Sequence, residues 1–239
     1  MMANVIQPFP RYLWFLVLSF TIVMIMSNWF DARLISLFGF VTTPGTLIFP
    51  LTYLLSDLIT EVYGYKHARR AIWVGFLFNF VFIGFGQIVT HLPSPAFATR
   101  NAAFDQVLAS NVQIIIGSAL SYLIAEPLNA MIMAKLKRYF HGRYMGMRFV
   151  VSTFFAAGLD SFLFMIIAFY GMLSIPEIVK VALTVWLIKV VIEVIGLPIS
   201  IRLAKRLKRV EGLDVFDRNT LFNLFRLDAN YDESDNHFP

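Results

Sequence analysis

Long apolar runs separated by short polar connections occupy most of this 239-residue chain. A helix that crosses a bilayer needs roughly 17–25 mostly apolar residues. On that criterion the pattern predicts six transmembrane spans, at about 12–29, 47–63, 71–90, 112–133, 149–171 and 178–203. The sixth is long enough to tilt or to extend beyond the bilayer. We therefore expect an all-α integral membrane protein, with a six-helix domain over residues 1–210 and a tail over residues 211–239.

Basic residues are distributed unevenly among the connections. Clusters of them follow the second, fourth and sixth spans, whereas the alternate connections hold only Arg33, Arg100 and Lys180. Lys and Arg collect on the cytoplasmic side of membrane proteins, so we expect both termini and the tail to be cytoplasmic. Topology then explains the net charge of +5, and no nucleic-acid partner is expected. The polar last part of the tail is expected to be disordered.

Composition supports a membrane protein and excludes several kinds of chemistry. Hydrophobic residues make up 58% of the chain and mean hydropathy is +0.70, whereas soluble domains are about 45–50% apolar. The sequence has no cysteine, and its four histidines lie in or near connections without metal-binding spacing. It also lacks an ATP-binding motif. We therefore expect no metal, no cofactor and no catalytic residue.

The charged residues inside the predicted spans are mostly acidic. Apart from Lys180 and Arg202 at the ends of the sixth span, the spans hold one basic residue, Lys189, and five acids, which are Asp57, Glu61, Glu126, Asp160 and Glu193. An ionised acid at bilayer depth is costly unless it faces a polar cavity or a partner, so such acids indicate a functional site. Asp57 and Glu61 are four residues apart and share one helix face. An acid-rich site favours ligands that donate hydrogen bonds or carry positive charge.

A guanine-like ring fits these requirements. A carboxylate accepts two parallel N–H bonds well, and the N1–H and 2-amino groups of guanine present such a pair. Aromatic side chains could stack on the flat ring; those nearby include Trp29, Tyr122, Phe162 and Trp186. The candidate substrate-binding residues are Asp57, Glu61, Glu126, Asn129, Asp160, Ser161, Lys189, Glu193, Asn28 and Tyr53.

Each of these charges also has a structural interpretation. Lys189 and Glu193 are four residues apart and would form an internal ion pair, because buried charges are usually paired. The acids of the second span would be neutralised by Lys189 or by Arg70. Glu126 precedes Pro127, which frees a carbonyl group and kinks a helix. An acid beside freed backbone is also common at substrate sites of transporters.

One segment carries a family resemblance. Residues 56–70, SDLITEVYGYKHARR, closely resemble the signature of the queuosine precursor transporter family, whose members were earlier described as vitamin-uptake transporters. The preceding FPLTY at 49–53, the pair Asp160-Ser161, and Lys189, Glu193 and Pro198 also fit. The likeness covers about residues 12–206, and its second-span motif is long and specific.

The resemblance implies a six-span protein of the bacterial inner membrane, with a fold similar to the substrate-binding components of energy-coupling-factor transporters. Its substrates would be 7-cyano-7-deazaguanine and 7-aminomethyl-7-deazaguanine, used to make queuosine in tRNA. An acid of the second span would bind the base, and Asp160 and Glu126 would complete the cavity. Lys189 and Glu193 would hold or gate the helices. Expected partners are this small-molecule substrate, membrane lipid and, for so small a bundle, a second copy of the chain.

Two other functions fit parts of the sequence. A substrate-binding component of an energy-coupling-factor transporter for a vitamin or nucleobase would need small residues on the first span for close docking, and residues 13–26 show no such stripe. An intramembrane enzyme could hold Mg²⁺ with Asp57, Glu61 and Asp160. The Asp/Gly-rich repeats and the phosphate-binding basic residues of such enzymes are missing from the spans.

Overall fold

The computed structural model describes residues 10–30, 33, 35–37, 40–108 and 112–238. Most of them are helical, in the chain order α1 (Leu13–Phe30), α2 (Pro44–Ile48), α3 (Pro50–Tyr63), α4 (Tyr65–Thr90), α5 (Asn101–Leu108), α6 (Val112–Tyr139), α7 (Met145–Phe169) and α8 (Ile175–Glu211). Two short antiparallel strands, β1 (Ile35–Leu37) and β2 (Phe40–Thr42), lie between α1 and α2, with Ile35 opposite Thr42. This helical fold agrees with the expected all-α class, apart from the small hairpin.

Five segments are long and apolar enough to cross a membrane, and they correspond to the first five predicted spans. They are Leu13–Phe30, Pro44–Tyr63, Tyr65–Thr90, Ile114–Tyr139 and Met145–Phe169. The protein is therefore a multi-pass membrane protein. The sixth predicted span lies within α8, a continuous helix that carries Lys180, Lys189 and Glu193 in its first half.

Local sequence signals set the helix ends. α3 begins at Pro50, whose missing N–H is no loss in a first helical turn. It ends at Gly64, where a φ of 84° favours glycine. α8 begins with a capping box formed by Ser174 and Glu177 and ends at Gly212, with a φ of 65°.

α3 is the central helix of the bundle. It contacts α1, α4, α6, α7 and α8, and nearly all of its side chains from Thr52 to Tyr63 are buried. The outer surface is apolar instead: α4 exposes Phe78, Phe80 and Phe85. Apolar side chains outside and polar ones inside are the arrangement expected of a helical bundle in lipid.

The tail is folded against the helix ends, so the prediction of disorder in its last part is wrong. Asp217 accepts hydrogen bonds from the backbone N–H of Tyr65 at 3.0 Å and from the hydroxyl of Tyr231 at 2.6 Å. The buried guanidinium of Arg69 donates to the carboxylate of Asp228 at 2.9 Å. The polar residues that suggested disorder therefore bind groups at the ends of the helices.

Candidate functional site

A cavity of about 520 Å³ lies at the end of the bundle where α1 ends and α6 begins. Its size falls within the roughly 300–1,000 Å³ of small-molecule sites. Most of the lining is apolar and includes the rings of Phe49, Phe164 and Phe169. The polar lining comes from several elements and comprises Ser27, Asn28, Thr42, Thr43, Thr46, Ser118, Ser121, Asp160 and Lys189. The cavity can therefore hold a flat, mostly apolar ring with a few polar groups.

A charged pair forms part of the cavity wall. The Nζ of Lys189 on α8 donates to Oδ2 of Asp160 on α7 at 2.5 Å, and both side chains are almost fully buried. The same Nζ lies 4.6 Å from the ring centre of Phe49. The predicted ion pair between Lys189 and Glu193 is therefore wrong, because the packing of α7 on α8 places Asp160 against the lysine. The pair therefore places a hydrogen-bond acceptor, the Asp160 carboxylate, and a donor, the Lys189 ammonium group, at the same cavity.

Asn28 also lines the cavity, but its amide is already engaged. Its Nδ2 donates to Oδ1 of Asn79 at 2.9 Å, and its Oδ1 accepts from the hydroxyl of Ser118 at 3.1 Å. Ser27 donates to the carbonyl oxygen of Gly45 at 3.1 Å. These bonds fix the rim of the cavity where α1, α2, α4 and α6 meet.

One face of segment 49–61, formed by every fourth residue, extends from the cavity into the interior of the bundle. Phe49 lines the cavity, and Tyr53, Asp57 and Glu61 follow on the same face. Four residues of helix rise about 6 Å, so this face spans much of a bilayer's depth. Around it lies a deep polar layer of buried side chains, which we define as Tyr53, Ser56, Asp57, Glu126, Asn129, Ser161 and Glu193.

This deep polar layer holds more hydrogen-bond acceptors than donors. The Nδ2 of Asn129 donates to Oδ1 of Asp57 at 2.8 Å. The hydroxyls of Ser56 and Thr52 lie beside Glu126, although neither makes a well-formed hydrogen bond with it. Among the residues that the structure describes, several buried polar atoms lack a hydrogen-bond partner: the Tyr53 hydroxyl, Oγ of Ser56 and Ser161, Oδ2 of Asp57, Oδ1 of Asn129 and both carboxylate oxygens of Glu126 and Glu193.

The deep polar layer adjoins the cavity wall. The charges of Asp160 and Lys189 act on Glu126, and Tyr53 lies within electrostatic range of Asp160, Glu126 and Glu193. Within the described ranges, no three acidic or histidine side chains are grouped so that they could hold a metal ion. The layer therefore offers acceptors to a ligand that brings its own donors.

Glu61 belongs to a different group at the far end of the bundle. Its carboxylate accepts from both terminal nitrogens of Arg148, at 2.6 and 3.1 Å, and from Lys208 at 2.5 Å. Asp214 of the tail contacts Lys137 at 2.6 Å and Lys208 at 2.8 Å. We call these five residues the inner ion cluster. Although Asp57 and Glu61 share a helix face, the structure places only Asp57 in the deep polar layer.

Much of the signature segment 56–70 binds the tail. A Cβ on Gly64 would overlap the hydroxyl of Tyr231, so only glycine permits this approach. The backbone N–H of Lys66 donates to that hydroxyl at 2.8 Å. Tyr63 donates to Glu211, at the end of α8, at 2.6 Å. This part of the motif therefore has a structural role: it holds the tail and the end of α8 against α3 and α4.

Sequence reasoning missed several residues and misassigned others. Phe164 and Phe169 give no signal in the sequence because Phe is common throughout the chain. Arg148 belongs to the basic cluster after the fourth predicted span, which indicates only topology. Two aromatic side chains proposed for stacking are engaged elsewhere: Trp186 donates to the carbonyl oxygen of Phe154 at 2.9 Å, and Tyr122 donates to that of Ile72 at 2.9 Å.

An apolar-surfaced helical bundle that encloses a polar cavity and buried, unpaired acids is the architecture of a membrane transporter for small polar solutes. The family described as "Putative vitamin uptake transporter" matches residues 43–203, and the chain belongs to this family.

The chain is also similar to a protein of Bacillus subtilis (strain 168) described as "Probable queuosine precursor transporter". The two are 25% identical over 169 residues, which cover 70% of this chain and 73% of that protein. Both findings confirm the family that segment 56–70 predicted. No solved structure matches the chain.

Proposed function

We propose that this protein imports the queuosine precursors 7-cyano-7-deazaguanine and 7-aminomethyl-7-deazaguanine across a bacterial inner membrane. The observation that carries the proposal is the cavity of about 520 Å³, walled by aromatic rings and by the Asp160–Lys189 pair. The similarity to a probable queuosine precursor transporter supports the same substrate class. Such a substrate supplies the donors that the buried acids lack.

Asp160 and Glu126 are the residues we assign to the guanine-like edge of the substrate. Asp160 lies in the cavity wall, and Glu126 is buried within electrostatic range of it, with both oxygens unpartnered among the described residues. The N1–H and 2-amino groups together satisfy one carboxylate. Lys189 then donates to the ring carbonyl oxygen, and Phe49 lies against the ring. The ammonium group of the aminomethyl form adds an attraction to the second acid.

Both termini face the cytoplasm in this proposal, and α8 is the sixth span. The apolar side chains of Leu187, Ile195 and Ile199 are each at least 60% exposed, as lipid-facing residues are, whereas Lys189 and Glu193 point inward and are buried. The inner ion cluster then lies at the cytoplasmic end, where basic residues are expected. The fold of energy-coupling-factor substrate components remains part of the proposal.

The conformation described here is closed at the cytoplasmic end. The inner ion cluster joins α3, α6, α7, α8 and the tail, and the cavity lies at the opposite end. Import then requires that these ion pairs separate so that the substrate can leave toward the cytoplasm. Secondary transporters in general close one end of the protein while the other end is open, and then exchange the two states.

The test is a rescue experiment in a bacterium that lacks both queuosine-precursor synthesis and its own importer. Cells that express this chain, supplied with 7-cyano-7-deazaguanine, should regain queuosine in tRNA. Asp160→Asn should lose it at equal membrane expression, and the exposed control Glu233→Gln should retain it. Rescue by Asp160→Asn, or no rescue by the wild-type chain at good expression, would contradict the proposal. A strict requirement for a separate ATPase would indicate a substrate-binding component instead.

A further inference from the structure

Asp57 and Glu193 form a pair of buried carboxyl groups that the substrate assignment above does not use. Asp57 lies on α3 and Glu193 on α8, and both are fully buried. Asp57 has one hydrogen bond, from Asn129, and its Oδ2 has no partner in the described part of the chain. The same holds for both oxygens of Glu193 and for Oδ1 of Asn129. The two acids and Asn129 therefore hold four acceptor atoms that receive no hydrogen bond from the described residues.

We propose that Asp57 and Glu193 bind a proton that is transported together with the substrate. A protonated carboxyl is a hydrogen-bond donor, which is the group this cluster lacks. Two neighbouring acids in an apolar interior cannot both be ionised without a large desolvation cost, and sharing a proton removes one of the charges. The inference rests on the proposed transport function and adds its energy source.

Among the residues that the structure describes, the charged and titratable groups around the pair leave no cation to neutralise it. On the side of the cavity these groups are Tyr53, Tyr122, Glu126, Asp160 and Lys189, and on the other side they are Glu61, Lys137, Arg148 and Lys208. Lys189 is bound to Asp160, and the cations of the inner ion cluster are bound to Glu61 and Asp214. Geometry places the two acids at one interface, because α3 packs against α8 and Leu54 lies directly beside Gly196 there.

A proton fits the geometry better than a metal cation. A sodium or divalent ion needs several oxygen ligands around one point. Within the part of the chain that the structure describes, no three acidic or histidine side chains are grouped in that way. The cluster has two carboxyls and one amide, and its one described hydrogen bond joins Asn129 to Asp57. The remaining carboxylate oxygens can each take a proton without a coordination shell.

The pair lies between the two ends that must open in turn. Glu126 lies within electrostatic range of both Glu193 and the wall residue Asp160, while Glu61 and its cations close the other side. A proton reaches one carboxylate through the cavity and forms an O–H bond there. When the inner ion cluster separates, this bond breaks and the proton leaves to the cytoplasm with the substrate. The pair returns without the proton, so the sum of each cycle is one proton and one substrate moved inward.

The first test needs no substrate. Infrared difference spectra of the purified protein in lipid, in H₂O and in D₂O, report the C=O stretch of protonated carboxylic acids. We expect a band that shifts in D₂O, that is lost or reduced in Asp57→Asn and in Glu193→Gln, and that is unchanged in the exposed control Glu233→Gln. A wild-type protein without such a band, or a band unaffected by both substitutions, would overturn the proposal. A wild-type spectrum without the band overturns the proposal even where a variant fails to fold.

The second test uses proteoliposomes and tritiated 7-cyano-7-deazaguanine. With one proton per substrate, an inwardly directed proton gradient, with the outside one pH unit more acidic than the lumen, should sustain about a tenfold accumulation of substrate in the lumen. In Glu193→Gln the ratio of uptake with the gradient to uptake without it should fall to about one. Wild-type uptake that ignores the gradient overturns the proton site and leaves the transport function intact. If no 7-cyano-7-deazaguanine enters at all, the proposed function fails, and the infrared experiment alone decides the proton site.

Discussion

At the scale of single residues, Lys189 decides how much positive charge the cavity holds. It is paired with Asp160 at 2.5 Å, so the wall carries no net charge from this pair. Lys189→Met would leave the carboxylate of Asp160 without its cation. A ligand that carries its own ammonium group then becomes the natural partner, because a buried charge is costly unless it is paired.

We therefore expect Lys189→Met to shift selectivity toward 7-aminomethyl-7-deazaguanine by about tenfold relative to the cyano form. Competition between the two precursors for uptake of one labelled form measures the shift. Lys180→Met is the matched control, since Lys180 lies on the same helix and is exposed. An unchanged preference in Lys189→Met would contradict the placement of the substrate beside this pair.

Glu61 has a structural role in the same account. It is fully buried and accepts from Arg148 and Lys208. Removing one partner of a buried ion pair typically costs about 3–5 kcal/mol. Glu61→Gln should therefore lower the thermal stability of the detergent-purified protein and its membrane expression, whereas Asp57→Asn should lower stability much less. If Glu61→Gln is as stable as the wild type and loses only uptake, Glu61 belongs to the binding site after all.

At the scale of elements, the contact between the start of α4 and the tail depends on Gly64. Its φ is 84°, and a Cβ would overlap the hydroxyl of Tyr231. Gly64→Ala should release the tail and make it more sensitive to limited proteolysis. Gly84→Ala is the control, because no atom lies within 4 Å of a Cβ at that helical position. Equal cleavage of Gly64→Ala and wild-type protein would show that the tail does not depend on this approach.

The helices were predictable from sequence to a large extent, because lipid demands long apolar runs. The helix ends were not predictable. The predicted third span starts at 71, but α4 begins at Tyr65, because Arg69 and Arg70 belong to the helix and the terminal nitrogens of Arg69 donate to the tail. Nothing in the tail's own composition indicated that contact. The contact depends on a partner more than 150 residues away in sequence, since Arg69 binds Asp228.

The site was predictable in its residue types and less so in its pairings. Acids within long apolar runs are rare and usually functional, so the sequence alone predicts Asp57, Glu126, Asp160 and Glu193 as site residues. Helical spacing suggested that Lys189 pairs with Glu193, but the packing of α7 against α8 supplied Asp160 instead. Spacing within one helix describes one face and carries no information on what the neighbouring helix presents to it.

At the scale of the whole molecule, import through this cavity requires one fixed orientation of the protein in the membrane. The natural chain has no cysteine, so a single introduced cysteine reports cleanly. Ser94→Cys, in the exposed connection after α4, should react with a membrane-impermeant thiol reagent added to intact cells, and Asn219→Cys in the tail should react only after lysis. The opposite pattern would invert the topology and assign the cavity to the cytoplasmic side.

The central claim is that the cavity beside Asp160 and Lys189 recognises a guanine-like edge, and equilibrium binding to the purified wild-type protein tests it most directly. The ligands to compare are 7-cyano-7-deazaguanine and its adenine-like analogue, which lacks the N1–H and 2-amino donor pair. We expect saturable binding of the first and, because a buried acceptor would be left unpaired, at least about tenfold weaker binding of the second. Equal binding of both ligands, or none of either, would contradict the account.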